Sequence, residues 1–354
     1  MERNCGKRDP GAMSRRSFLH AAGIAGVAGA AGLAGLPSDL LAAAGGKGKK
    51  KPKAPAPPAA AATVPAKGFK DPNALEKKLA VVRGGDPAAA TRKAIELLGG
   101  MDKLVAKGDK VVVKPNIGWD KPPEDAANTN PAIVAAVVEM CVEAGAAEVT
   151  VFDNPVNAAA KTYVASGIKA AVEAVKAKVG DKAKISVPFI DASLFRSYDI
   201  PGGSAFQKYN FYSPAVECNV LINLPCCKNH GGAGVTFGLK NLMGLIDDRG
   251  RLHGKMQPGI VDLSRLVKVD LTVLDAWKIM LTGGPAGGGS EYKDAKTIVA
   301  GIDRVALDAY ALELMGRKAG SIEHIQSADG ALEIPGGEKG SVDWKAKGLL
   351  EATL

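Results

Sequence analysis

From Leu79 onward, short apolar runs alternate with segments of helical periodicity, and this alternation constrains the fold more than any other feature of the chain. Residues 79–82 are apolar, and residues 110–113 contain three consecutive valines, so a buried strand is predicted in each range. Residues 130–145 place their apolar side chains on one helical face. Alternating strands and helices are typical of βαβ units. We therefore expect an α/β fold with a mostly parallel β-sheet and helices on both faces.

The same patterns predict the later elements of the fold. Strands are expected at residues 148–152, 220–224, 271–274 and 297–300. Helices are expected at residues 234–246, 260–267 and 303–314. We assign residues 71–354 to a single α/β domain, because this length can bury one sizeable core.

Paired arginines in the motif Ser14-Arg15-Arg16-Ser17-Phe18-Leu19 predict a twin-arginine export signal. The weakly apolar run that follows, residues 21–36, is shorter than the roughly 20 residues that span a membrane. Small residues at 42–44 are typical of a cleavage site. We expect a signal peptide over residues 1–44, the twin-arginine translocase as a partner, and export to the periplasm or the cell exterior.

The basic charge of the chain is concentrated near its start. The formal net charge is +9, but residues 45–68 hold six lysines and no acidic residue. Residues 45–70, rich in Lys, Pro and Ala, predict a disordered linker. This linker is either a plain spacer or a weak contact with an anionic membrane or wall. Because the remainder of the chain is nearly neutral, we expect no nucleic-acid partner.

Polar side chains stand where several predicted strands end. In an open parallel sheet, ligands bind in the crevice outside the carboxyl ends of the strands. The sequence therefore predicts a functional crevice at this edge. The predicted catalytic residues there are Asp153, Lys228, His230 and Asp275.

Residues 225–244 are rich in glycine, and the sequence pattern predicts that this segment leads into a helix. Backbone N–H groups at a helix start favour anions, and lysines add positive charge. A phosphate, a carboxylate or an enolate-like intermediate would suit such a site. The alternative, a surface loop whose lysines face water, stays open. Candidate ligand- or cofactor-binding residues are Lys114, Asn116, Gly232, Gly234, Thr236, Lys240 and Asn241.

Histidine and cysteine side chains in and after this segment allow a second kind of site. A neutral His230 could serve as a general base or as a metal ligand. The candidate ligands for a metal ion are Cys226, Cys227, His230 and His253, although their spacing matches no metal motif. The chain has five cysteines and no Cys-x-x-Cys-x-x-Cys run, so we expect no iron–sulfur cluster.

Three stretches of the chain resemble one protein family. They are Lys114-Pro115-Asn116, the segment from Lys228 to Gly244 with its Leu239-Lys240-Asn241-Leu242-Met243-Gly244 motif, and residues 303–309. They are similar to the family called domain of unknown function 362, over roughly residues 79–316. The resemblance implies an α/β protein from a family with links to ferredoxin modules and export. This chain lacks the ferredoxin segment, and Cys226 stands where we expect a lysine.

Two functional hypotheses follow from these observations. The first is an exported enzyme that binds a small anionic substrate or cofactor at the carboxyl ends of the strands, with a link to redox chemistry. The second is a non-enzymatic accessory protein of an exported redox system that carries a metal or a cofactor. The residues alone do not identify a substrate or a reaction.

Overall fold

The computed structural model describes residues 75–354. The signal peptide and the linker predicted over residues 1–70 lie outside this range. Within it, the helices are too short or too polar to span a bilayer.

Ten strands of the described chain form one mixed sheet. They are β1 Leu79–Arg83, β2 Lys110–Pro115, β3 Glu148–Val151, β4 Lys184–Ser186, β7 Val220–Leu224, β8 Cys226–His230, β9 Gly234–Thr236, β10 Leu271–Met280, β11 Tyr292–Gly301 and β12 Leu349–Thr353. A separate antiparallel hairpin consists of β5 Phe195–Asp199 and β6 Lys208–Tyr212.

Helices connect most of these strands. They are α1 Pro87–Leu97, α2 Met101–Leu104, α3 Pro131–Glu143, α4 Ala159–Ala165, α5 Ile168–Val179, α6 Ser213–Glu217, α7 Gly238–Asn241, α8 Arg249–His253, α9 Met256–Leu266, α10 Arg304–Leu314, α11 Glu323–Ala328 and α12 Trp344–Lys347.

The strand order along the main path is β12-β1-β11-β10-β7-β2-β3-β4, with β8 and β9 attached through β10. Strands β10, β7, β2, β3 and β4 run parallel to one another. Strand β11 runs antiparallel to both β1 and β10, and the loop of residues 281–291 joins it to β10. The expected α/β class with a mostly parallel sheet is confirmed, and the antiparallel strands β9 and β11 make the sheet mixed.

Alternate residues of the strands enter different cores on the two faces of the sheet. Ala80 and Val82 pack into a core formed with α1, α3 and α5. Leu79 and Val81 pack into a second core with α9, α10 and α11. Over β2 and β7, the second face is covered by the aromatic β5–β6 hairpin, which packs on Val112. Helices therefore cover one face of the sheet, whereas helices and the β5–β6 hairpin together cover the other face.

A break after β7 opens the carboxyl edge of the sheet. Strand β2 pairs with β7 as far as Pro115 and Leu224. Pro225 then separates β7 from β8, and β8 continues along β10, with Cys226 opposite Asp275. Since β8 pairs with β9 and β10 and not with β2, a gap forms beyond the end of β2.

The helix predicted over residues 234–246 is wrong in its first part. Gly234 has a φ of +84°, and residues 234–236 pair as β9 with β8, so that Thr236 lies opposite Lys228. Helix α7 is four residues long and passes into a 3₁₀ turn at Leu242–Leu245. A left-handed glycine and a hairpin ladder are both incompatible with one continuous helix.

Asp308 on α10 holds the start of α7. Its carboxylate is fully buried and accepts hydrogen bonds from the backbone N–H groups of Gly238 at 2.7 Å and Leu239 at 2.9 Å. Such a short helix has little stability of its own, so its position depends on tertiary contacts of this kind.

We predict that Asp308→Ala lowers the free energy of unfolding by about 2–4 kcal/mol, because two buried amides lose their hydrogen-bond acceptor. The matched control is Asp86→Ala. Asp86 caps α1 through two amides at 3.0 Å but is exposed, and we expect a loss of about 1 kcal/mol. Urea unfolding of both variants checks the difference. Equal losses would contradict the role assigned to Asp308.

Candidate functional site

A cavity of about 400 Å³ lies at the carboxyl edge of the sheet, where β8 separates from β2. This volume falls within the range of small-molecule sites. Its lining residues are Asn116, Gly118, Trp119, Asp153, Asn154, Val156, Lys228, His230, Gly231, Gly232, Thr236, Lys240, Asn241, Met243, Gly244, Arg249, His253, Gly284 and Pro285.

Most of the residues singled out from the sequence meet at this cavity, although their roles remain predictions. Those in the lining are Asn116, Asp153, Lys228, His230, Gly232, Thr236, Lys240, Asn241 and His253. Those outside the lining are Lys114, Gly234, Asp275, Cys226 and Cys227.

Lys114 and Asp153 form a buried ion pair beside the cavity. Lys114 Nζ lies 2.8 Å from Asp153 Oδ1 and donates to the carbonyl oxygen of Pro115 at 3.0 Å. Asp153 Oδ2 accepts a hydrogen bond from the Ile117 N–H at 2.7 Å. Burial lowers the pKa of Lys114, and the charge of Asp153 opposes this effect. The charge of Lys114 is thus matched by Asp153.

Gly244 covers this ion pair at very close range. A Cβ atom at this position would lie 1.9 Å from Asp153 Oδ1 and 2.8 Å from Lys114 Nζ. Only glycine allows the turn at Leu242–Leu245 to approach the pair so closely.

Lys228 is held by oxygen atoms of neutral groups. Its Nζ donates to Asn116 Oδ1 at 3.0 Å and to the carbonyl oxygen of Ala127. Asn116 Nδ2 donates to Asn241 Oδ1 at 3.0 Å, and Asn241 Nδ2 donates to Asn223 Oδ1 at 2.8 Å. This chain of side-chain amides joins β8, β2, α7 and β7. Asn116 and Asn241 therefore position Lys228 and the surrounding elements, in addition to lining the cavity.

Of the three buried lysines in residues 75–354, Lys240 is the one without a partner among those residues. Its side chain is 9% exposed, and no hydrogen bond or ion pair joins it to any residue that the structure describes. Burial lowers its pKa to about 7, and the positive charges of Lys228, Lys114 and Arg249 contribute, while Cys226 opposes them. Near neutral pH, the side chain is therefore close to the midpoint of its titration.

His230 presents an N–H group rather than a lone pair. Its Nδ1 accepts hydrogen bonds from the backbone N–H groups of Gly232 at 3.1 Å and Ala233 at 3.0 Å. This pattern assigns the proton to Nε2. Burial lowers the pKa of His230 to about 3, with further lowering by Lys240 and Lys228. The ring is neutral at physiological pH, and its geometry suits hydrogen-bond donation better than the predicted role of general base.

The remaining polar lining includes a buried hydroxyl group and one further cation. Thr236 Oγ1 is buried without a hydrogen-bond partner. Arg249 donates to the carbonyl oxygens of Asn154 and Pro155, each at 2.8 Å. Sequence reasoning missed Arg249, which follows no strand and belongs to no motif. Among the described lining residues, Asp153 is the single carboxylate, and it is paired.

Asp275 and Gly234 were predicted to be site residues and lie outside the cavity lining. Asp275 Oδ2 accepts from the Asn130 N–H at 2.8 Å, and its Oδ1 accepts from the Trp277 N–H at 3.0 Å, where β10 is irregular. Both oxygens thus anchor backbone, and burial raises the pKa of Asp275 to about 6. Gly234 turns the hairpin, where a Cβ atom would lie 2.5 Å from Ile322.

The four candidate metal ligands do not form a metal site. Within residues 75–354, no group of three or more His, Cys, Asp or Glu side chains is arranged to hold a metal ion. Cys226 lies beside Asn116, whereas Cys227 packs into an apolar core. His253 is exposed, with Nδ1 2.5 Å from the carbonyl oxygen of Arg249.

Comparison with known proteins links the chain to one family and one curated relative. The family profile described as Domain of unknown function (DUF362) matches residues 111–313. The relative is the thylakoid-associated protein sll1697 of Synechocystis sp. (strain ATCC 27184 / PCC 6803 / Kazusa). It is 26% identical over 242 residues, which cover 65% of this chain and 70% of that protein.

Two solved structures show weaker similarity. A structural-genomics crystal structure of a Thermotoga maritima protein has 10% identity and a TM-score of 0.39, over 66% of this chain and 60% of that one. The lactate racemase apoprotein of Thermoanaerobacterium thermosaccharolyticum has 11% identity and a TM-score of 0.36, over 63% of this chain and 55% of that one. The chain spans less than two thirds of the length of either structure.

We predict that Gly244→Ala lowers the free energy of unfolding by at least about 2 kcal/mol, because the new methyl group forces the Lys114–Asp153 pair apart. Gly254→Ala is the control, since a Cβ atom there lies 3.6 Å from its nearest neighbour, and we expect a change within about 0.5 kcal/mol. Thermal and urea unfolding check both. A stable Gly244→Ala protein would contradict the close approach described above.

Proposed function

This chain belongs to the family Domain of unknown function (DUF362), as the resemblance at residues 114–116 and 228–244 implied, and we propose that it is an enzyme that binds a small anionic substrate or cofactor in the cavity. One observation carries the proposal: Lys240 is a buried cation that faces the cavity without a partner. Lys228, His230 and Asp153 stay the candidate catalytic residues.

The charge balance of the cavity supports an anionic ligand. An ammonium group removed from water without a counter-charge is destabilised by several kcal/mol. A bound carboxylate or phosphate would supply that counter-charge to Lys240. The Nε2–H of His230 and the hydroxyl group of Thr236 would donate hydrogen bonds to the same ligand. Lys228 and Arg249 would add to the positive potential.

The apolar part of the lining favours an organic anion. Trp119 and Met243 line the cavity together with Val156, which is 56% exposed. Sites for small organic molecules combine apolar walls with a few polar groups that fix orientation. We infer a ligand with an acidic group near Lys240 and a carbon skeleton against these side chains.

The accessory role as a metal carrier is not favoured, because the four candidate ligands lie in separate environments. Export and a link to redox chemistry remain part of the proposal. They rest on the twin-arginine motif and on the family resemblance. The exported protein would act in the periplasm or outside the cell.

We predict that wild-type protein binds propionate most tightly below pH 7 and more weakly above it. The anion binds the charged form of Lys240, whose pKa is about 7, so the dissociation constant should rise by up to about tenfold per pH unit above that value. His230, whose pKa is about 3, does not titrate in the pH range of the experiment. Isothermal titration calorimetry from pH 5.5 to pH 8.5 checks the profile.

We predict that Lys240→Gln weakens propionate binding at pH 6 by at least about tenfold and abolishes its dependence on pH in this range. Lys161→Gln is the matched control, because Lys161 is exposed on α4, away from the cavity lining, and should bind as the wild type does. Equal affinity and an equal pH profile in Lys240→Gln and wild type would contradict the proposed site.

A further inference from the structure

The three buried lysines at this site differ in what surrounds their nitrogen atoms. Lys114 Nζ is paired with Asp153, and Lys228 Nζ donates to Asn116 and Ala127. Lys240 Nζ has no partner among the described residues, and its side chain lines the cavity. A ligand in the cavity therefore meets this nitrogen without breaking a bond within the protein.

The surroundings of Lys240 make its neutral amine available near pH 7, because its pKa is lowered to about 7. Burial and three neighbouring cations destabilise the ammonium form, and the thiol of Cys226 is the group that opposes them. The two histidines whose pKa values Lys240 lowers, His230 and His324, are themselves neutral near pH 7. A desolvated lysine beside other cations is the arrangement that activates a lysine as a nucleophile toward carbonyl groups.

We propose that Lys240 forms an imine with a ligand that carries both a carboxylate and a carbonyl group, that is, a small oxo acid. This inference deepens the proposed function and rests on it, since the carboxylate must first bind in the same cavity. In a 2-oxo acid the carbonyl carbon is bonded directly to the carboxylate carbon, so a carboxylate bound near Lys240 brings the carbonyl group beside the same nitrogen. Lys228 and Arg249, which also line the cavity, add positive charge for the carboxylate.

The step is balanced without an oxidant or a reductant. The lone pair of Lys240 Nζ adds to the carbonyl carbon, so a C–N bond forms and the C–O π bond breaks. The oxygen takes up a proton as the nitrogen loses one, which gives a carbinolamine. Loss of water then forms the C=N bond. The Nε2–H of His230 is a donor in the same cavity for the oxygen that becomes negative during addition.

Reductive trapping tests the inference on the full-length wild-type protein. The protein is incubated with pyruvate and sodium cyanoborohydride at pH 7, and its tryptic peptides are mapped by mass spectrometry. We expect one carboxyethyl group per chain, on Lys240. Excess propionate, which lacks the carbonyl group, should slow the labelling. Acetone, which lacks the carboxylate, should label Lys240 at least about tenfold more slowly than pyruvate.

Two variants and a binding measurement distinguish failure of the proposed imine from failure of the proposed function. Lys240→Arg should take up no label at pH 7, whereas Lys161→Arg should be labelled as the wild type is, and circular dichroism verifies that both are folded. Wild type that binds propionate but is not labelled, or is labelled equally on exposed lysines, overturns the imine and leaves the proposed function intact. Wild type that neither binds propionate nor takes up label overturns both.

Discussion

Two buried lysines, Lys228 and Lys240, line a cavity whose described lining contains a single carboxylate, that of Asp153. A third buried lysine, Lys114, pairs with this carboxylate from outside the lining. Each ammonium group loses hydration on folding and must recover the loss from the protein or from a ligand. Lys114 recovers it from Asp153, and Lys228 recovers part of it from amide and carbonyl oxygens. Lys240 recovers none. The positive potential of the cavity follows from this imbalance, which also adds to the effect of burial in lowering the pKa of His230.

A few local constraints of the fold place more buried ammonium groups than carboxylates at the cavity. A parallel sheet brings the ends of β2, β3 and β7 to one edge, and Pro225 turns β8 away from β2 to open the cavity there. Helix α7 is too short to be stable alone, so Asp308 holds its start, and Asn241 ties its end to the amide chain. Gly244 lets the following turn close over the Lys114–Asp153 pair.

The sequence predicted the α/β class and much of the cavity lining, because strand ends in a parallel sheet converge whatever their order in the chain. It could not distinguish the three lysines. The pairing of Lys114 with Asp153 depends on the register that sets Val113 opposite Val151. Asp275 lies outside the cavity lining because β10 continues past this residue to Met280, so the carboxylate lies within a strand.

The secondary structure of the glycine-rich segment could not be predicted reliably from the sequence. A hairpin and a helix start share the same composition, and the choice between them at residues 234–236 was made by pairing with β8. Arg249 follows a 3₁₀ turn and an Asp-Asp pair, and no strand-end or glycine pattern marks it. Its place at the cavity depends on contacts with the backbone of residues 154 and 155.

The most direct measurement is an anomalous-scattering experiment on crystals soaked in dilute iodide at pH 6. The central claim is that Lys240 has no partner among the described residues and, with a pKa of about 7, is mostly protonated at pH 6, so the strongest iodide peak should lie inside the cavity, in contact with Lys240 Nζ. Crystals of Lys240→Gln should lack that peak. Iodide bound solely at exposed lysines, with none in the cavity of the wild type, would contradict the account.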